Sequence, residues 1–216
     1  YYLITNKNFK LVYGRFLHGC YIATLLNKDV IFESHENIST MKLHRLIIFK
    51  NLIKSKYFKK LVVISQALKK IYLDNGYLNN DRIQVAHDGA DEVEDLNNKI
   101  KLLGDEKTLK IGYVGHLYKG RGVELIIECA KKMKEVTFHI VGGTDEDIKK
   151  WKKHIKDFDL LNIFFYGFVT PSETIIYRNS FDVLLAPYEK QISVFGIQDI
   201  GDTSKFMSPL KIFEYM

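Results

Sequence analysis

Short apolar runs alternate with stretches of helical spacing along most of this chain. Residues 1–14 show no more than a strand remnant and a turn. Arg15 to Asn27 has helical spacing, with Phe16, Cys20, Ala23 and Leu26 on one face. Asp29–His35 reads as a short buried strand. Ser39 is then expected to cap a long helix to Ser55, with Leu43, Leu46, Ile47 and Leu52 inward. Lys60–Ser65 is the next strand, and Ser65 opens a helix that ends at Gly76. A further strand covers Arg82–His87.

The same alternation returns after a polar, aperiodic stretch at 91–108 (DEVEDLNNKIKLLGDEKT). That stretch places a linker at 96–108, between a domain of residues 1–95 and one of residues 109–216. Strands are expected at 109–115, 136–141, 162–168 and 182–188, and helices at 122–134, 145–157 and from Pro171. A long loop covers 189–207, and a last helix opens at Ser208 with Pro209 at its first position. Strands alternating with helices mean βαβ units and parallel sheets, so the fold class is α/β. Parallel sheets bind ligands beyond the carboxyl ends of their strands. The turns at 34–38, 115–122, 142–145, 167–170 and 189–208 all follow strands.

Composition narrows the classes. Hydrophobic residues make up 46% and charged residues 27%, as in ordinary globular proteins, and 3 prolines without low-complexity tracts argue against disorder. A net charge of +6 suits an anionic ligand, a membrane surface or nucleic acid. The lysines are spread along helices, and aromatic residues do not interleave with a basic stripe, which disfavours nucleic acid. Cys20 and Cys129, far apart in helical contexts, point to two buried thiols in a reducing compartment. No apolar run approaches the ~20 residues of a membrane-spanning helix. The chain starts at Tyr1 and stops in mid-pattern at Met216, so both ends look cut.

The chemistry concentrates at Lys110–Val123, K-I-G-Y-V-G-H-L-Y-K-G-R-G-V. An apolar run passes through glycines carrying His116, Lys119 and Arg121 into a helix. Backbone N–H groups and a positive helix end then face an anion, and the added cations favour phosphate over carboxylate. The segment is neither a Walker loop nor G-x-G-x-x-G, and a tight turn with solvated charges is the other reading. No zinc ligand set, no D-x-D strand ending and no nucleophile–histidine pair can be assembled.

The segments KIGYVGHLYKGRGVELII, VTFHIVGG, NIFFYGFVTPSETIIYRNSFDVLLAPY and SPLKIFEYM stand in this order in the second half. Together they closely resemble the donor domain of the GT-B glycosyltransferases, in particular the large retaining family 4 (group 1). VIFESHE, LVVISQALKKIY and RIQVAHDGAD in the first half are similar to the end of that family's acceptor domain. The resemblance implies two Rossmann-like parallel-sheet domains, each partial. It places His116 and Arg121, beside Gly115, against the donor diphosphate, although the family more often has arginine where His116 stands. Gly142 and Gly143 let a ligand approach the backbone, or merely form a tight turn. Val169 matches a position whose backbone pairs with the nucleotide base. Ser208, Pro209 and Leu210 form a helix start that would aim N–H groups at the phosphates, and Glu214 would accept hydrogen bonds from the ribose. His35 matches a histidine facing the donor sugar, with Glu33, Glu36 and Asn37 as weaker acceptor candidates, while Asp88 and Asp91 would fix a turn.

One departure stands out. The first glutamate of the family's Glu-x7-Glu pattern falls at Phe206, leaving Asp199 and Asp202 as possible substitutes for contact with the sugar. The resemblance implies a metal-independent retaining transferase with His35 and Arg121 as catalytic residues and no cofactor. It would take a nucleotide-sugar donor and a carbohydrate or lipid-linked acceptor, in the cytoplasm at an anionic membrane face. A sugar-nucleotide epimerase or hydrolase of the same fold, or a non-catalytic nucleotide or glycan binder, are the alternatives.

Overall fold

The computed structural model describes residues 9–92, 97–156, 158–192 and 202–216. The chain forms two compact units, Tyr1–Asp88 with Lys205–Pro209, and Gly89–Ser204 with Leu210–Met216.

The first unit runs β1 (Leu11–Gly14), α1 (Leu17–Leu25), β2 (Asp29–Ser34), α2 (Leu43–Lys54), β3 (Phe58–Val63), α3 (Gln66–Asp74) and β4 (Ile83–Val85). Its strands form one parallel sheet in chain order, β1-β2-β3-β4. Ser65 caps α3 as expected, its hydroxyl accepting from the Leu68 N–H, and Gly76 leaves the helix at φ 71°. The helix expected from Ser39 to Ser55 is broken. A single 3-10 turn at Ile38–Thr40 is capped by the Asn37 side chain, and extended backbone at Met41 and Lys42 precedes α2. Leu43 is 73% exposed and Ile47 is exposed too, while Phe49, Leu52 and Ile53 face the core. Apolar residues occupy more than one face of this segment, so spacing alone did not choose the buried one.

Phe206 belongs to this unit. It is 6% exposed and packs into the core with Leu61, Ile64 and Leu68. The Ser65 hydroxyl donates to its carbonyl at 2.6 Å. Cys20 is buried and Cys129 half-buried, both as free thiols, and burial pushes Cys20 up to about 11.

The second unit runs β5 (Leu109–Val114), α4 (Val123–Lys132), β6 (Val136–Val141), α5 (Asp145–Lys156), β7 (Ile163–Gly167), α6 (Pro171–Ser180), β8 (Val183–Leu184) and α7 (Leu210–Tyr215). Its parallel sheet has the order β7-β6-β5-β8. Every residue of β6 is buried, as helix cover on both faces requires. α6 begins with a full capping box between Thr170 and Glu173. The strand expected over 182–188 shortens to Val183–Leu184, opposite Ile111 and Gly112. Pro187 has no N–H to extend the ladder. The last helix starts at Leu210, so Ser208 and Pro209 precede it. No helix among the described residues is long and apolar enough to cross a membrane.

His139 on β6 is fully buried, between Tyr166 Oη at 2.9 Å and Thr137 Oγ1 at 3.0 Å, with its ring stacked on Phe164, Tyr166 and Phe181. Burial, then the Lys110 charge, lower it from 6.5 to about 4. Below pH 6.5 the unfolded chain takes up a proton that the folded chain refuses. Thermal stability is therefore expected to fall as pH drops from 6.5 toward 4. His139→Phe keeps the stack and should flatten that slope in a pH series of melting temperatures. Phe206→Glu, which would restore a carboxylate at the family position, should instead destabilise the first unit by about 3 kcal/mol or more in denaturant unfolding.

Candidate functional site

In the second unit the chain leaves β5 toward β6 and β7 on one side, and later returns to β8 on the other. β5 is thus the strand at which connections diverge, and the crevice beyond its carboxyl end is where open α/β sheets hold ligands. Among the described strands of the first unit no such reversal occurs.

The segment leaving β5 is Gly115–Gly122. Gly115 still donates to the Val141 carbonyl at 2.9 Å, and Gly142 donates to the Gly167 carbonyl at 2.6 Å. Gly142 sits at φ 113°, and a β-carbon there would collide with the Gly115 carbonyl. Its missing side chain therefore serves the approach of two backbones. Gly122, at φ 84°, is the N-cap of α4, and the Pro187 carbonyl fills the space a side chain would take. Inside the bend, Tyr113 donates its phenolic proton to the His116 carbonyl at 2.6 Å.

The cations stand around this bend. The His116 ring lies flat on Tyr118, with centroids 4.9 Å apart and planes 3° from parallel. Burial first, then the Arg121 and Lys211 charges, hold His116 below the usual histidine range, so it is neutral near neutral pH. The Arg121 backbone donates to the Tyr118 carbonyl at 3.1 Å. Its guanidinium stands 5.5 Å from the Tyr188 ring, and its buried Nε has no hydrogen-bond partner among the described residues. Lys211, on α7, reaches the same place, its ammonium 3.7 Å from the Tyr113 ring centroid. Spacing and resemblance passed over Lys211, Tyr113 and Tyr188. The available signal was a lysine on the otherwise apolar turn Leu210–Phe213.

α7 also carries Glu214, paired with Arg178 of α6 at 3.3 Å. Tyr215 Oη accepts from the Val114 N–H and donates to the Leu185 carbonyl, both at 3.4 Å, which ties α7 to the edge of the sheet. Beside this helix lies a cleft of about 380 Å³ whose lining includes Asp91, Ser172, Ile175, Arg178, Leu210 and Glu214. Val169, half-buried, follows β7 on the same carboxyl edge, and a β-carbon at Gly143 would meet Leu117. Gly115, His116, Arg121, Gly142, Gly143, Val169, Leu210 and Glu214 all belong to this second unit.

Three expected site residues belong to the first unit. Ser208 and Pro209 lie before the helix, and the Ser208 hydroxyl accepts from the Asp88 N–H at 3.1 Å. His35, just past β2, is locked in a polar network. Arg15 donates to its Nδ1 at 2.9 Å and Glu33 Oε1 lies 2.6 Å from its Nε2. Arginine only donates, so the ring proton sits on Nε2 and goes to Glu33. Burial disfavours the Glu33 charge, but hydrogen bonds from Tyr13 and His35, with the Arg15 charge, hold the carboxyl below its usual range. Burial and Glu33 push Tyr13 up to about 12. Glu36 pairs with Arg45 at 2.8 Å, and Asn37 is a cap. Asp202, in the second unit, accepts from the Ile192 and Ser204 N–H groups, and Asp199 lies outside the described residues. No group of three or more His, Cys, Asp or Glu placed to hold a metal ion occurs among the described residues.

Comparison with known proteins follows this geometry. Residues 94–198 match the family model for glycosyl transferases group 1. An uncharacterized glycosyltransferase, MJ1069 of Methanocaldococcus jannaschii, is 32% identical over 143 residues, covering 59% of this chain and 35% of that protein. The fold is shared with HepE of Anabaena, solved in complex with UDP, at a TM-score of 0.68 and 17% identity, over 86% of this chain and 55% of that one. It is shared also with a glycosyltransferase from Rickettsia africae, at 0.63 and 18%, over 86% and 53%. The chain thus spans about a third of the curated relative and about half of each solved structure. Over residues 94–198 the chain matches the glycosyl transferases group 1 family, and the ordered segments and the two parallel-sheet units agree with that match.

Proposed function

We propose that this chain forms part of an enzyme that transfers a sugar from a nucleoside diphosphate sugar to a carbohydrate or lipid-linked acceptor, with retention of configuration and without a metal. The observation that carries the reading is the Arg121 guanidinium. It is fixed at the switch point of a parallel sheet, with a buried nitrogen that has no hydrogen-bond partner among the described residues. As the glycosidic bond breaks, negative charge grows on the departing diphosphate. A guanidinium already in place stabilises that charge without reorganising. The α4 N-terminus behind Gly122 adds backbone N–H groups to the same anion. HepE, which shares the fold, was solved with UDP, with UDP and glucose, and with UDP-glucose, which supports a nucleotide-sugar donor here.

In this reading the cleft beside Glu214 takes the nucleoside. The Arg178 contact holds the Glu214 carboxylate in place for the ribose hydroxyls. His35, fixed by Arg15 and Glu33, is assigned to the sugar. Attack comes from the face that the phosphate leaves, and the departing phosphate accepts the acceptor's proton. Side chains supply the positive charge that a metal would otherwise bring. The net charge of +6 supports work at an anionic membrane in the cytoplasm on a glycan or its lipid-linked precursor.

Two measurements test this. The intact protein, given nucleotide sugars labelled in the sugar, should pass the label to a glycan with the donor's anomeric configuration kept. Free sugar would indicate a hydrolase, an isomerised nucleotide sugar an epimerase, and binding without turnover a non-catalytic protein. Arg121→Ala should weaken UDP or its GDP or ADP counterpart about 10- to 100-fold in calorimetry, the range of a lost charge-assisted hydrogen bond. Undiminished affinity in that variant defeats the assignment.

A further inference from the structure

Lys211 is 9% exposed, and its Nζ makes no hydrogen bond among the described residues. The ammonium lies over the Tyr113 ring at 3.7 Å and stands 5.7 Å from the Tyr188 centroid. It fills the space beside the Gly115 backbone so fully that a β-carbon there would collide with Nζ and Cε. The carboxylate on its own helix, Glu214, pairs with Arg178 rather than with Lys211. The nearby cation is Arg121, itself with a buried, unpartnered Nε. Two like charges with unmet hydrogen-bonding capacity converge on one glycine bend. Each raises the free energy of the empty site, and one shared anion relieves both.

We propose that Lys211 is a diphosphate-binding residue that acts with Arg121 on the same leaving group at the Gly115 bend. The inference rests on the transferase reading above and adds a residue to it. His116, neutral and stacked on Tyr118, leaves the bend one charge short, and Lys211 provides that charge. The groups facing Lys211 are Tyr113 from β5, His116 and Arg121 from the bend, Tyr188 after β8, and Glu214 of its own helix. Burial, then the Arg121 charge, bring Lys211 down to about 7, with Glu214 opposing. At pH 8 the empty site therefore holds mostly the free amine. An arriving diphosphate favours the ammonium, so binding draws in a proton from solvent.

Lys211→Met in the intact protein tests this, because methionine keeps the apolar stem and removes the charge. The expected result is UDP binding about 10- to 100-fold weaker, with uridine binding unchanged. GDP with guanosine or ADP with adenosine replaces that pair if the unaltered protein prefers it. The melting temperature of the ligand-free variant should hold or rise, since a buried unpaired charge has gone. A merely structural lysine would lower the melting temperature and leave the diphosphate-to-nucleoside ratio unchanged, which overturns the inference. Should the variant not fold, calorimetry of the unaltered protein at pH 8, in buffers of differing ionisation enthalpy, still decides. Uptake of up to about one proton on diphosphate binding is expected, and no uptake overturns it. Uptake that persists in Lys211→Met assigns the proton to His116 and also overturns it. If Arg121→Ala loses affinity while Lys211→Met does not, the Lys211 role falls and the transferase reading stands. If the unaltered protein binds no diphosphate, both fall.

Discussion

Arg121 and Lys211 keep nitrogen atoms out of water beside the Gly115 bend without hydrogen-bond partners among the described residues. Burial of that kind opposes folding, and it persists because the surrounding structure leaves no other arrangement. β5 is paired on both sides, α4 starts immediately behind Gly122, and Tyr215 fixes α7 to the same strand. The Tyr113 ring offers the Lys211 ammonium only a weak electrostatic substitute for water, and Tyr188, which hydrogen-bonds the Arg121 guanidinium, leaves the Nε unmet. What the folded chain lacks here, an anion can provide. The proposed site and its proposed anionic ligand both rest on this single electrostatic deficit.

The architecture confines that deficit to one edge. β6 is buried along its whole length, so polar chemistry has no room on the faces of the sheet and gathers where strands end. His139 shows the cost of the exception. It is kept neutral, is hydrogen-bonded at both ring nitrogens and is packed among aromatic rings, so it serves structure rather than chemistry. His116 is neutral for a related reason, burial close to two cations. The two histidines differ in where they stand: one inside a strand, the other on the bend.

The first unit presents a different polar economy. Tyr13, Arg15, Glu33 and His35 satisfy one another at the carboxyl ends of β1 and β2, which orients the imidazole and fixes its tautomer. Phe206 explains the departure from the family's glutamate pattern in physical terms. The position is a core position of this unit, where an apolar ring is stabilising and a carboxylate would be buried without a partner. Asp202 is occupied with backbone N–H groups of its own turn.

The sequence by itself determined the α/β class, the order of strands and helices and the place of the glycine bend. These depend on local period and on turn residues, and Ser65, Gly76 and the Thr170–Glu173 box behaved as their chemistry dictates. The resemblance of ordered segments pointed to the family whose model matches residues 94–198. Where local rules were degenerate, tertiary structure decided. The apolar-rich segment 43–53 could bury several faces, and packing chose Phe49, Leu52 and Ile53. Pro187 cut the last strand short, and the final helix waited until Leu210. Lys211 looked like one more helix lysine among many, because a side chain's burial depends on residues distant in sequence, here Tyr113, Gly115 and Tyr188. Only the folded chain brings those groups around one ammonium, and only there does an ordinary lysine become a candidate for the proposed site.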